Sequence, residues 1–107
     1  MLIIIPIDGD NLNSNTNKTL GRAKQFIAVD SNSNEFKLID NKQNLQAAQG
    51  AGIQSAQLII KSGADIVITF NCGPKAYRVL NESGVDIFLA QPGTIQENIT
   101  ISANEIL

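Results

Sequence analysis

The chain reads as an α/β protein built on a mixed five-stranded sheet with helices on both faces, and two observations predict this. First, Ser62-Gly63-Ala64-Asp65-Ile66-Val67-Ile68 and Ser83-Gly84-Val85-Asp86-Ile87-Phe88-Leu89 repeat one pattern: Ser-Gly-apolar-Asp, then three apolar residues. Each copy has the form of a helix stop, a short turn and a buried strand. A Gly and a Pro follow each strand and suit the opening of the next helix. Strand–helix–strand–helix is the unit of a parallel sheet. Second, Gln25–Asp30 and Glu35–Asp40 are strand patterns separated by Ser31-Asn32-Ser33-Asn34, a turn cluster. That is an antiparallel hairpin, so the sheet is mixed.

The elements follow in order. Leu2-Ile3-Ile4-Ile5-Pro6-Ile7 is a β-branched run that predicts a buried first strand. Pro6 cannot donate to a ladder, which places it near the strand's end or at a bulge. Asp8-Gly9-Asp10 breaks the strand, and the Asn, Ser and Thr of residues 11–18 predict an exposed, mobile loop. Glu35–Asp40 alternates polar with apolar, as a half-exposed edge strand does. Residues 41–49 form a polar connection to Gly50-Ala51-Gly52. From Ile53 onward, Ile53, Ala56, Ile59 and Ile60 share one helical face, and Gly63 ends that helix. Asp65–Phe70 is a fourth strand, apolar on both faces and therefore central. Pro74 opens a helix whose inward face is Ala76, Tyr77 and Leu80, and Asp86–Ala90 is the fifth strand. Thr94 and Glu97 form a capping-box pattern at the start of a last helix. Ile95, Ile99 and Ser102 face inward there, and the weak helix formers Ile99-Thr100-Ile101 predict early fraying.

At 107 residues the chain accommodates one domain, 1–107, with a single core. Hydrophobic residues make up 43% and charged residues 17%, the balance of a globular chain. The net charge of -2, without a basic cluster, points to no nucleic-acid or membrane partner. The longest apolar run is too short to span a bilayer, and a cytoplasmic location is expected. One cysteine, Cys72, excludes an internal disulfide and suits a reducing compartment. Histidine is absent, which removes the commonest metal ligand and neutral-pH base together.

In such sheets ligands gather at the carboxyl ends of the parallel strands, beside helix N-termini. Three loops are expected to meet there: Asp8–Ala23, Asn71–Pro74 and Gln91–Thr94. Cys72 lies between a strand and a helix opening, where helix-end amides favour a thiolate; the same position suits a small buried hydrophobe. A single thiol cannot make a closed zinc or iron–sulfur site, so a metal species would be a preformed cluster held at one or two points, or one bridged between subunits. Asn71, Gly73, Gly93 and Thr94 suggest an anion-binding edge of backbone N–H groups, although helix capping accounts for the same residues. Arg22, in Gly21-Arg22-Ala23-Lys24, could clamp an anion. Asp8 and Asp10 invite a magnesium-nuclease comparison, but Asp65 and Asp86 fall at the opposite end of the sheet and cannot complete the cluster. No Ser–His, Cys–His or phosphate-loop pattern exists, so no enzyme activity is expected.

Several blocks, in order, resemble the dinitrogenase iron–molybdenum cofactor biosynthesis family. They are Leu20-Gly21-Arg22-Ala23, Gly50-Ala51-Gly52-Ile53-Gln54-Ser55-Ala56, Gly63-Ala64-Asp65-Ile66-Val67-Ile68-Thr69 and Asn71-Cys72-Gly73-Pro74-Lys75-Ala76. Leu80, Gly84-Val85-Asp86-Ile87 and Gly93-Thr94-Ile95 continue the series. The resemblance implies a ribonuclease H-like motif. It further implies a non-enzymatic role in binding or carrying the iron–molybdenum cofactor or an iron–sulfur precursor, with a cluster donor or acceptor protein as partner. The site so implied comprises Gly21, Arg22, Asn71, Cys72, Gly73, Gly93 and Thr94, with Cys72 as metal ligand. Many family members carry a His before the aromatic-Gly-Arg-Ala block, where this chain has Thr19 and then Leu20. Two other readings stand beside the carrier: a binding module for a phosphate- or carboxylate-bearing metabolite, and an interaction domain whose strand Glu35–Asp40 pairs with another chain.

Overall fold

The strand at the centre of the sheet is the first one. In the computed structural model, which describes residues 1–17, 19–45 and 50–106, β1 (Leu2–Asp8) is flanked by β3 (Gln25–Asp30) and β5 (Ile66–Thr69). The remaining strands are β2 (Asn15–Thr16), β4 (Phe36–Asp40) and β6 (Asp86–Leu89). The helices are α1 (Lys42–Leu45), α2 (Ala51–Lys61), α3 (Pro74–Glu82) and α4 (Ile95–Ile106). The main sheet runs β4-β3-β1-β5-β6, with β3 antiparallel to β1 and β4, and β5 parallel to β1 and β6. This is the expected mixed, ribonuclease H-like α/β arrangement of five strands. The sixth, two-residue β2 pairs the end of β1.

Central placement explains the β-branched run. Ile3, Ile5 and Ile7 pack on one face with Ile27, Val29, Ile66, Ile68 and the α4 residues Ile95 and Ile99. Ile4 packs on the other with Phe26, Val67, Ala56 and Ile59 of α2, and Ala76 and Leu80 of α3. Pro6 lies beyond Ile4, the last residue of β1 aligned with β5, so its missing N–H falls near the end of the parallel ladder. Its carbonyl accepts from the Asn17 N–H at 2.9 Å.

The repeated Ser-Gly-apolar-Asp pattern forms two equivalent corners. Gly63 (φ 88) and Gly84 (φ 80) adopt the left-handed conformation that closes a helix. The following residue reaches back in each case: the Ala64 N–H donates to Ile59 O at 3.4 Å, and the Val85 N–H to Leu80 O at 3.0 Å. The Asp86 N–H donates to Asp65 O, which sets the two corners side by side. Asp65 also accepts the Leu2 N–H on Oδ2 at 2.8 Å, fixing the start of β1.

Several expectations need correction. Tyr77 is 51% exposed, while Ala76 and Leu80 are buried; one residue turns the helix about 100°, which carries Tyr77 off the inward stripe. On α2, Ser55 joins Ala56 and Ile59 inside, and Ile53 and Ile60 are only half-buried. Among residues 11–17 of the loop expected to be exposed and mobile, β2 forms and Thr16 is buried. Asn41, expected in a polar connection, is fully buried; residues 46–49 of that connection lie outside the described residues. Helix α4 continues to Ile106 rather than ending early, because two buried isoleucines and a closed first turn hold its start. The expectation for Ser102 concerns a side chain outside those described.

Candidate functional site

The parallel strands β1, β5 and β6 deliver their carboxyl ends to one edge of the sheet. The first loop there has a built shape. Gly9 has φ 148, and a Cβ on it would lie 2.2 Å from Ser14 Oγ, so only glycine fits. The Asp10 and Asn11 N–H groups donate to that same Ser14 Oγ. Further on, the Ser14 and Leu12 carbonyls accept the Ile95 and Gln96 N–H groups at 2.9 Å. This part of the loop therefore rests on the first turn of α4.

The second half of the loop crosses to the α2–α3 face. A Cβ on Gly21 would lie 3.0 Å from Gly52 Cα and 3.1 Å from its nitrogen. A Cβ on Gly52 would in turn lie 3.7 Å from the Cβ of Ala76. Small residues from three distant segments thus stack, and the loop backbone seats directly on the start of α2. Asn41 locks this arrangement. Its Nδ2 donates to Ala23 O at 2.8 Å and to Ser55 Oγ at 3.0 Å, and its Oδ1 accepts from Asn44 Nδ2 at 2.8 Å.

Helices α2 and α3 begin in the same way. The residue before each is glycine, Gly50 (φ 81) and Gly73, and neither start has a side-chain cap. The N–H groups of a first helical turn have no partner within the helix, so each start presents donors and positive potential. Both starts open on one shallow cleft of about 340 Å³, lined by Gly50, Ala51, Gly52, Ile53, Gly73, Pro74, Lys75 and Ala76. Cys72 immediately precedes Gly73, half-buried against the aliphatic cluster of that face. Burial pushes its thiol pKa up, opposite to the shift expected from helix-end amides. The thiol is therefore protonated at neutral pH.

The other expected residues lie elsewhere on the edge. Arg22 is exposed and lines a second cleft, of about 510 Å³, with Asp8, Gly9, Asp10, Asn17, Lys24 and Gln25. The two clefts share no lining residue. Asp8 accepts from Asn17 Nδ2 at 2.5 Å and Asp10 from Asn11 Nδ2 at 3.0 Å. Thr19, which stands where the resemblance placed a histidine, donates its N–H to Asn17 Oδ1 at 3.0 Å. Gly93 and Thr94 belong to the start of α4. The Thr94 N–H donates to Glu97 Oε1 at 3.0 Å and the Glu97 N–H to Thr94 Oγ1 at 3.1 Å, which completes the expected capping box. The Thr94 amide first, and its hydroxyl second, hold the Glu97 carboxyl below its usual pKa. Buried Asn98 closes this end further: its Nδ2 donates to Gln91 O and Thr94 O, and its Oδ1 accepts the Gln91 N–H at 2.7 Å.

The structure thus brings Gly21, Cys72 and Gly73 to the α2–α3 face, while Arg22 and Thr94 occupy two other places. Sequence reasoning missed Asn41, Ser55 and Asn98 as residues that shape this edge, whereas the small start Gly50-Ala51-Gly52 was legible as a place where backbone can approach the helix closely. Asn98 left a trace in the sequence, lying between Ile95 and Ile99 on a helix with an apolar face. Among the described residues no three His, Cys, Asp or Glu side chains group as metal ligands. These residues do not make up a four-ligand metal centre.

The family model for the dinitrogenase iron–molybdenum cofactor matches residues 1–102. An uncharacterized protein of Methanocaldococcus jannaschii is 34% identical, over 94% of this chain and 84% of its own. The apo form of the orange protein from Desulfovibrio gigas superposes with a TM-score of 0.93 at 28% identity, covering 97% of this chain and 88% of that one. A NifB-like protein from Thermotoga gives 0.81 at 28% identity, covering 96% and 87%. A dinitrogenase-like protein of Methanocaldococcus jannaschii, 18% identical with a TM-score of 0.73 over 98% and 89%, shares the fold.

Proposed function

The chain belongs to the dinitrogenase iron–molybdenum cofactor family, and from that premise we propose that it is a non-enzymatic carrier of a preformed anionic metal–sulfur cluster. The cargo is the iron–molybdenum cofactor or an iron–sulfur precursor, passed between a donor and an acceptor protein. One observation carries this reading: two glycine-capped helix starts open on a single cleft beside the chain's one cysteine. Unpartnered amides and two helix dipoles favour an anion there without any protein base or acid. Cys72 supplies one thiolate to the cargo, Gly73 and Gly52 let the cargo approach the backbone, Gly21 abuts Gly52 from behind, and Asn71 precedes Cys72 in the loop. Arg22 contributes positive potential from the neighbouring cleft. Gly93 and Thr94 hold the start of α4 and thereby the loop. A relative whose apo form is known is a relative that also takes a ligand, which supports a binding role.

Anaerobic titration with isolated cofactor, or with iron and sulfide, followed by visible absorption and co-elution on gel filtration, tests this. Wild type gains a cluster spectrum, and Cys72→Ala loses or weakens it. Loading of wild type strengthens as pH rises, because ligation releases the thiol proton. Featureless spectra from both proteins would sink the proposal. A second reading draws on the same open helix starts: a phosphate- or carboxylate-bearing metabolite in the cleft. Thermal shifts with such anions, unchanged in Cys72→Ala, would favour it.

A further inference from the structure

Strand β4 ends the sheet, and among the described residues no strand pairs with its outer edge. The hydrogen bonds to β3 set the direction of its backbone groups. The Asp30 N–H donates to Glu35 O at 2.9 Å, and the Asn41 N–H donates to Lys24 O at 2.8 Å. Residues 35 and 41 thus turn their backbone groups toward β3. By strand alternation, Phe36, Leu38 and Asp40 turn theirs outward. The side chains of Phe36 and Leu38 are 42% and 39% exposed, on the face they share with their β3 partners Val29 and Ile27. On the opposite face a groove of about 250 Å³ is lined by Leu2, Ala28, Asp30, Glu35, Phe36 and Lys37. Two carboxylates and one ammonium line it.

We propose that a second copy of this chain pairs antiparallel with β4 about a two-fold axis at Phe36. Charge selects the register. In a symmetric antiparallel pair, opposed residues share a face, so the axis must pass through a residue of β4. An axis at Lys37 sets ammonium against ammonium. An axis at Leu38 sets Lys37 against Ile39 and brings residue 34 of the second copy opposite Lys42, the start of α1. An axis at Phe36 sets each Lys37 opposite Glu35 of the other copy, beside Asp30, and stacks the two exposed phenylalanines on the other face. The two Phe36 residues exchange a pair of backbone hydrogen bonds. Asn34, already in the left-handed region (φ 61) with its N–H given to Asp30 O, ends the pairing at each side. A lysine in the middle of an edge strand ordinarily discourages pairing. Here it disfavours the register centred on itself and gains an opposite charge only in this one. The overlap is short, so the dimer is weak and forms with rising concentration.

Sedimentation velocity on the full chain, from low micromolar to millimolar, tests the proposal. Wild type should pass from monomer to dimer. Lys37→Glu and Glu35→Lys should each stay monomeric alone, since each sets like charges opposite one another. Mixed in equal amounts, these two variants should form a heterodimer, because each then supplies the charge that the other lacks. Both positions are exposed, so the substitutions leave the core intact. A wild type that is monomeric throughout overturns the proposal and leaves the edge to a different protein. A dimer that ignores both substitutions, or variants that fail to associate when mixed, overturns it as well.

Discussion

The helix starts on the two faces of the sheet are built from opposite materials. On one face, α2 and α3 begin at Gly50 and Gly73 without a side-chain cap, and the cleft between them is lined by small residues. On the other, α4 begins at Thr94 with a reciprocal cap from Glu97, a buried asparagine below it and loop carbonyls laid over its amides. The α4 start has satisfied its donors internally. The α2 and α3 starts leave theirs to be met from outside. The difference teaches where this fold can receive a ligand: an anion competes with no side chain at one end and with three partners at the other.

The largest expected effect comes from opening the closed end. Asn98→Ala removes three hydrogen bonds made by a buried side chain and takes a partner from the part-buried Gln91 and Thr94 backbone groups, so unfolding stability should fall by about 2 kcal/mol. Urea denaturation measures it, and a loss below a few tenths would show that the end is not closed by this residue. Next, Gly21→Ala presses a methyl into the Gly52 backbone, which cannot rotate away as a side chain would. It should cost roughly 1–2 kcal/mol and shift the amide resonances of Ala51 and Gly52. Unshifted amides would mean that the loop does not bear on α2.

Thr94→Ala should cost about 1 kcal/mol by denaturation, in the usual range for a lost N-cap. The same cap has a pH signature. Glu97 is held below its ordinary pKa of 4.5 in the folded chain, so its contribution is complete above that value and disappears as pH falls through the lower folded value. Thermal unfolding between pH 7 and pH 3 should therefore show a steeper acid loss for wild type than for Glu97→Gln. Equal acid limbs would remove Glu97 from the cap. The smallest effect sharpens the contrast from the other side. Gly73 sits in an extended conformation with open space around a Cβ, so Gly73→Ser can supply the missing cap. Stability should rise by a few tenths of a kcal/mol, and anion or cluster binding should weaken because the hydroxyl now takes an amide. Binding that is unchanged or stronger would disconnect that helix start from the ligand.

Much of the frame was readable in the chain because it rests on local rules. A glycine that must adopt positive φ ends a helix wherever it occurs, as at Gly63 and Gly84. The Thr94–Glu97 box is complete within four residues. The hairpin from Gln25 to Asp40 follows from its apolar periods and the turn between them. Residues 11–17 misled because Ser14 Oγ and Asn11 Oδ1 accept loop N–H groups and the Leu12 and Ser14 carbonyls meet the α4 amides, so a polar, largely exposed segment is still tied down. Tyr77 misled because an aromatic at a helical spacing close to the stripe was counted inside it.

The amino-acid sequence by itself determined the five strands of the main sheet and the three longer helices, their parallel or antiparallel sense and the family blocks, since each depends on residues within a turn or a strand of one another. Strand β2 and helix α1 were not legible there. Tertiary structure alone decided that Gly21 meets Gly52, that Asn41 and Asn98 are buried, and that Arg22, Cys72 and Thr94 occupy three separate places along one edge. Those outcomes depend on how separate elements and loops settle against each other. Close packing sets such distances to within an ångström, and no local pattern of residue types carries that information.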